Sequence, residues 1–306
     1  MALVIRATLI VSALWFSVSS PYASSATDLT FTLTTSKEAY SLYEPVPLTV
    51  RVANETSENI DAHLSLKPRA GHLAIVVTDS RGISYEYEPL LRTTETASTE
   101  TLAPDAAVEQ TTELNWGLRR RVFPAPGEYT IAARLWIDND PEALYLTSKP
   151  IQIAVTELVK VDQEAIAFFG SLDDFETILR SGATGYCGKR KEGRSQECFD
   201  HLRQFLSDHP KSVFAPMLTR VLGDAAAFGR FELSQPKLVA MELYEAFLRE
   251  WPNHGSAPSV HYCLVLTLEA AGRHGDASRL FASFVEQYPH RTRQAEKLRS
   301  NLRVDL

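Results

Sequence analysis

Cysteine is nearly missing from this chain of 306 residues: it has three, Cys187, Cys198 and Cys263. A thiolate metal centre needs close, repeated ligand spacing, and neither Cys-x-x-Cys nor His-Glu-x-x-His occurs anywhere. The eight histidines, His201, His209, His261 and His274 among them, are scattered along the chain, so no metal site and no cofactor are expected. Gly-x-Ser-x-Gly, phosphate-loop and dinucleotide fingerprints are missing as well, which removes the motif-borne routes to acyl, phosphoryl and hydride transfer. Positive charge is also in deficit. The formal net charge is −7, and residues 27–157 alone carry 11 basic against 19 acidic side chains. Nucleic-acid binding needs a basic field to displace counterions, so no nucleic-acid partner is expected.

Long apolar runs are lacking outside one place. "MALVIRATLIVSALWFSVSSPYASSA" has a single charge, Arg6, then an apolar run from Ala7 to Val18, then small residues with Ser24 and Ala26 three and one before a cut. That run is shorter than the ~20 residues that span a bilayer and is interrupted by Thr8, Ser12 and Ser17. The layout is that of a secretory signal peptide, residues 1–26. The expectation is an exported protein, periplasmic or secreted, with no integral membrane segment after signal removal. No cysteine follows the cut, so a lipid anchor is not indicated.

What is present divides at about residue 157. In the first part apolar residues alternate with polar ones: Leu29, Phe31, Leu33; Leu48, Val50, Val52; Leu73, Ile75, Val77; Tyr129, Ile131, Ala133, Leu135, Ile137; and Ile151, Ile153, Val155. A period of two with turn residues between the runs predicts half-buried antiparallel strands, about seven of them, in two packed sheets. From about Asp162 the period becomes helical. Helices are expected at 162–180, 195–208, 213–228, 236–250, 257–271, 275–288 and 291–303, with Pro258 just inside one start and Gly272 as a stop.

The second part also repeats itself. "QFLSDHP" ends at Pro210, "AFLREWP" at Pro252 and "SFVEQYP" at Pro289, at intervals of 42 and 37 residues. Phe205, Phe247 and Phe284 hold one register position; His209, Trp251 and Tyr288 hold another; Cys198, Ala240 and Ala277 a third. A small residue where helices touch, an aromatic, then a terminating proline resembles the second helix of a tetratricopeptide repeat. The likeness covers roughly 172–290 as degenerate units. The spacing exceeds the usual ~34 residues, so the region is tetratricopeptide-like. In the first part, Gly127-Glu128-Tyr129 before an alternating strand resembles the tyrosine corner of immunoglobulin-like folds. The fold class expected is therefore multidomain β + α: an antiparallel immunoglobulin-like β-sandwich, 27–157, followed by an α-helical hairpin repeat domain, 158–306.

Stacked hairpins leave a concave face lined by their first helices, and aligning the repeats puts Met217, Arg220, Asp224, Tyr262, Leu266 and Glu269 near it. These are the candidate binding residues for a protein or peptide partner, and the expected function is a non-enzymatic binding or scaffold protein. Packing between repeats accounts for such residues equally well. The alternatives are a secreted enzyme with a site between the two domains, and a ligand-binding or protease-inhibiting sandwich. Cys187 and Cys198 could close a disulfide in an exported protein, although Cys198 also stands at the small packing position; Cys263 reads as core. Asp138, Asn139 and Asp140 read as a turn rather than a calcium loop, and Asp173 and Asp174 as first-turn acids. Arg119, Arg120, Arg121 and Lys189, Arg190, Lys191 read as solvated surface. Asn54-Glu55-Thr56 matches a glycosylation acceptor, expected to be exposed after its strand.

Overall fold

The computed structural model describes residues 29–68, 72–90, 99–137, 145–190 and 193–302. The expected signal peptide and the Asp138–Asp140 turn lie outside them. Strands come first and helices follow. The β half holds β1 (Leu29–Thr35), β2 (Ala39–Ser41), β3 (Val46–Asn54), β4 (Ile60–His63), β5 (Leu73–Asp79), β6 (Ser84–Glu86), β7 (Thr99–Leu102), β8 (Ala107–Leu114), β9 (Gly127–Trp136), β10 (Tyr145–Thr147) and β11 (Ile151–Thr156). One sheet runs β1-β3-β8 and another β2-β11-β9-β5-β6, with β10 also on β9; β4 and β7 pair separately. All pairings are antiparallel except β2 with β11.

Alternation explains which side of each strand is dry. Phe31, Leu33, Leu48, Val50 and Val52 from the first sheet join Ile75, Val77, Ile131, Leu135, Ile153 and Val155 from the second in one buried cluster. In β9 every other residue from Tyr129 to Leu135 is buried. Tyr129 turns its hydroxyl back to donate to the Ala125 carbonyl at 2.7 Å, and its ring meets Phe123 edge-on at 5.1 Å.

The helical half contains α1 (Lys160–Phe168), α2 (Leu172–Lys189), α3 (Gln196–Asp208), α4 (Ala215–Ala227), α5 (Pro236–Glu250), α6 (Ala257–Ala270), α7 (His274–Gln287) and α8 (Thr292–Asn301). The single helix expected over 162–180 is corrected to two. Gly170 takes φ 84°, which other residues resist, and Ser171 then caps α2 by accepting the Asp174 N–H at 3.1 Å. Inside α2 the backbone breaks again at Gly182 (φ 68°, ψ −173°) before the helix resumes towards Cys187. Cys187 and Cys198 are disulfide-bonded, their Cα atoms 6.1 Å apart, joining the end of α2 to α3.

The repeated letters have repeated geometry. The N–H groups of His209, Trp251 and Tyr288 donate to the carbonyls of Phe205, Phe247 and Phe284, and the same three ring pairs lie 5.1, 5.6 and 5.2 Å apart. After each proline the chain turns through another short bond, Ser212, His254 and Arg291 donating to His209, Trp251 and Tyr288. Cys198, Ala240 and Ala277 are all completely buried. Proline cannot extend the helical ladder, and the aromatic pair closes the end it leaves.

Two sequence expectations give way in the β half. Asn54 is fully buried, its amide nitrogen donating to the carbonyls of Glu58 (2.7 Å) and Leu102 (2.9 Å), so the glycosylation acceptor is sealed in the folded chain. Arg121 is no solvated surface residue: its guanidinium stacks over Tyr43 at 4.6 Å and pairs with Glu176 of α2 at 3.4 Å.

Candidate functional site

The two halves meet along two seams. In the first, Tyr43 sets its ring edge-on to Phe175 at 6.3 Å and Arg180 covers Trp116 at 5.2 Å. In the second, strand β8 faces the N-terminal ends of α4, α6 and α8. Strand geometry puts Glu109, Thr111 and Glu113 on one side, and each has a helical partner. Glu113 pairs with Arg220 at 2.5 Å and accepts from the Ser256 hydroxyl; Thr111 accepts from Arg291; Glu109 pairs with Arg291 at 3.2 Å. Gly255 lies directly against Pro47 of β3.

Beside this second seam is a cleft of about 380 Å³, bounded by Gln110–Glu113 of β8, by Tyr87, Pro89 and Leu90, and by Arg220, Ser256 and Ser259 of the helical half. Burial works against the Arg220 charge, yet Glu113 and Asp224 outweigh it and hold its pKa above the ordinary arginine value. Asp224 lies 3.7 Å from Arg220 and accepts from the Tyr244 hydroxyl at 2.7 Å; burial nonetheless raises its pKa, with Arg220 opposing. Burial likewise pushes the Cys263 thiol up to about 12, with Asp224 adding to it, and lifts Tyr244 far above the usual phenol range. A thiol in that state is a poor nucleophile at neutral pH.

The six expected binding residues are placed as follows. Met217 is buried. Arg220 lines the cleft but is committed to Glu113 of the chain's own β half, and Asp224 is committed to Tyr244 and Arg220. Tyr262 and Leu266 are half-buried on α6, one and two turns on from Ser259, and pack against the helical core; neither lines the cleft. Glu269 sits farther along α6, its carboxylate 2.9 Å from His274 Nδ1. The sequence reading missed Glu113, Ser256 and the β8 edge. No local pattern marks them, because Glu113 stands 107 residues from Arg220 and 143 from Ser256.

Chemically the arrangement holds and orients. The Ser256 hydroxyl donates to a carboxylate already paired with Arg220, while His254 Nδ1 takes the Ser256 backbone N–H at 3.1 Å and not the hydroxyl. Among the described residues no group of three or more His, Cys, Asp or Glu could hold a metal ion, and no helix is long and apolar enough to cross a membrane.

No protein-family model and no curated protein matches this chain. Solved structures that match include the CARDB domain of a Pyrococcus furiosus protein in complex with di-metal ions, at 16% identity over 43% of this chain and 94% of that one, TM-score 0.25. The sporulation control protein Spo0M of Bacillus subtilis matches at 12% identity over 49% of this chain and 56% of that one, TM-score 0.26. A β-glucosidase of Erythrobacter marinus matches at 13% identity over 42% of this chain and 15% of that one, TM-score 0.26. At such scores none of these carries an argument about this chain.

Proposed function

We propose that this chain is an exported, non-enzymatic binding protein in which an immunoglobulin-like β-sandwich, 27–157, is fixed to a tetratricopeptide-like helical repeat, 158–306, and that it holds a protein or peptide partner. The Tyr129–Ala125 hydrogen bond supports the first assignment, since a tyrosine hydroxyl returning to backbone just upstream is the mark of the corner in such sandwiches. The threefold aromatic–proline helix end supports the second. Export rests on the N-terminal sequence pattern, and the Cys187–Cys198 bond is compatible with it.

One observation carries the binding reading: a cleft between the halves is walled on its helical side by Arg220, Ser256 and Ser259, and Tyr262 and Leu266 stand half-buried farther along the same helix α6. Aromatic and aliphatic anchors beside a polar rim are how peptide grooves hold their occupants. The test is capture from the exported fraction with the chain 27–306 as bait, then titration of the identified partner. Tyr262→Ala and Leu266→Ala should each weaken it by about tenfold, the usual cost of losing an interface anchor. Affinity unchanged in both variants would sink the groove assignment. The cleft between the halves also suits the enzyme alternative; turnover of any substrate abolished by Ser256→Ala or Glu113→Gln with folding intact would favour that alternative.

A further inference from the structure

Strand β8 ends its sheet: it pairs with β3 on one side and, among the described residues, with no strand on the other. The direction of its main-chain groups follows from the register. Asn54 N–H of β3 reaches across to the Ala106 carbonyl, and Val52, Val50 and Leu48 stand opposite Val108, Gln110 and Thr112. In an antiparallel ladder alternate residues bond inward, so the even-numbered residues of β8 serve β3 while Glu109, Thr111 and Glu113 turn their N–H and C=O groups outward. Glu109 demonstrates it: its N–H donates to the His290 carbonyl of the helical half at 3.0 Å. The next outward groups along the strand belong to Thr111 and Glu113, and both residues line the cleft; the Thr111 carbonyl accepts from the neighbouring Gln110 side-chain amide at 3.1 Å, a bond that a strand's N–H would share or replace.

The lining itself points the same way. Gln110, Thr111, Thr112 and Glu113 all border the cavity. Side chains of consecutive strand residues point to opposite faces, so four in a row can share one cavity only where it meets the strand's edge. Opposite that edge stand Pro89 and Leu90, the latter 37% exposed, and the hydroxyl-bearing wall of α6. Arg220 Nε, buried beside the cleft, has no hydrogen-bond partner among the described residues.

We infer that the occupant is an extended polypeptide segment that adds as a strand to the open edge of β8, its main chain bonding Thr111 and Glu113 and its alternate side chains meeting Leu90 on one side and Ser256 and Ser259 on the other. The His290 carbonyl already makes the first such bond from within the chain, so the edge is built to receive a main-chain partner. This rests on the proposed protein-binding function and specifies its mode: strand addition, with affinity from main-chain bonds and selectivity from the side-chain walls.

A random-peptide phage library panned on the chain 27–306 supplies the probe, and the selected peptide is then synthesised and titrated. The expected result is slowed hydrogen exchange at the Thr111 and Glu113 amides of the unaltered protein when that peptide is bound. Thr111→Pro removes one outward N–H and no rung to β3, a place where edge strands tolerate proline; it should weaken the peptide by about tenfold, the scale of a lost buried hydrogen bond. Thr111→Val removes the same hydroxyl, which meets Arg291 and Thr49, but keeps the N–H, so it should lose clearly less affinity than Thr111→Pro; equal losses in the two variants would overturn the main-chain bond. A peptide that binds without protecting those amides and is lost in Tyr262→Ala overturns strand addition while leaving a helix-face binding protein standing. Selection of no peptide also overturns it, and the capture of whole proteins then decides the broader reading separately.

Discussion

Gly223 of α4 lies against the Tyr244 ring of α5. A Cβ there would lie 2.7 and 2.9 Å from two carbons of the Tyr244 ring. That ring is fully buried and its hydroxyl is held by Asp224, so it has nowhere to retreat. Alanine gains about 1 kcal/mol in helix preference, but overpacking a filled site costs about 1–3 kcal/mol. Gly223→Ala should therefore lower the free energy of unfolding in guanidinium chloride; a higher midpoint would mean the ring has room to move. His261 supplies a pH dependence from the same core. Its Nε2 donates to the Leu280 carbonyl at 3.1 Å while the ring edges onto Phe284 at 5.5 Å, and burial lowers its pKa. His254 is lowered too, again by burial. The unfolded chain protonates histidine near ~6.5, so the stability from neutral histidine is complete above that pH and is lost as pH falls towards the depressed folded value. Glu44 and Asp224, whose pKa values burial raises, work in the opposite direction as acid protonates them. The comparison to make is thus between variants: Tm should fall more from pH 7 to pH 5 in the parent than in His261→Gln, which keeps a donor but cannot take the proton. Equal slopes would remove His261 from the account.

At the scale of elements, the disulfide matters most where the backbone is weakest. Beyond the Gly182 break only the short second piece of α2 leads to Cys187, and the bond to Cys198 ties that piece to α3 with both sulfurs fully buried. Closing a loop of this length restricts the unfolded chain by about 3 kcal/mol in the chain-entropy account. Cys198 shares its packing position with Ala240 and Ala277, so the double variant Cys187→Ala, Cys198→Ala should fold, lose about 2–4 kcal/mol, and respond no further to dithiothreitol. A parent protein whose stability dithiothreitol leaves unchanged would contradict this. Elements with a strong period were the ones readable beforehand. β1, β3, β5, β9 and β11 show their alternation, and α3 to α8 fall within a few residues of their expected ends. The short strands β2, β4, β6, β7 and β10 were not legible, because three or four residues cannot show a period and their pairing is decided by distant partners. Gly170 could be read as a glycine in a helical pattern, but neither the positive φ it adopts between α1 and α2 nor the one Gly182 adopts inside α2 shows in a run of letters. For the cleft, Arg220 was visible through the repeat, while Glu113 and the outward N–H of Thr111 exist as site features only once β8 is docked.

At the scale of the whole molecule, the question is what holds the two halves in one orientation. The ion pair Arg220–Glu113 sits on the seam with about a quarter of each side chain exposed, shares Ser256 and Asp224 as neighbours, and is flanked by Arg291, which has 2% of its side chain exposed, on Glu109 and Thr111. Arg293 adds a bond to Glu100 at 2.7 Å. By contrast Arg203–Glu242, between α3 and α5, is half exposed on both sides at 3.3 Å. Exposed pairs of that kind couple by about 0.2–1 kcal/mol. Removing one partner of a shielded, hydrogen-bonded pair instead leaves the other charge without compensation, at about 3–5 kcal/mol for full burial. A double-mutant cycle of Arg220→Ala and Glu113→Ala, read from chemical denaturation, should therefore give a coupling of about 1–3 kcal/mol, well above that of the Arg203–Glu242 cycle. Small-angle scattering separates local from global consequences: Glu113→Ala should leave each half folded but increase the radius of gyration, because Gly255 against Pro47 gives close contact without attraction between charges. Equal couplings in the two cycles, with unchanged scattering, would mean that the seam is held by its apolar contacts at Tyr43 and Phe175, and that the charges around the cleft serve the bound segment instead.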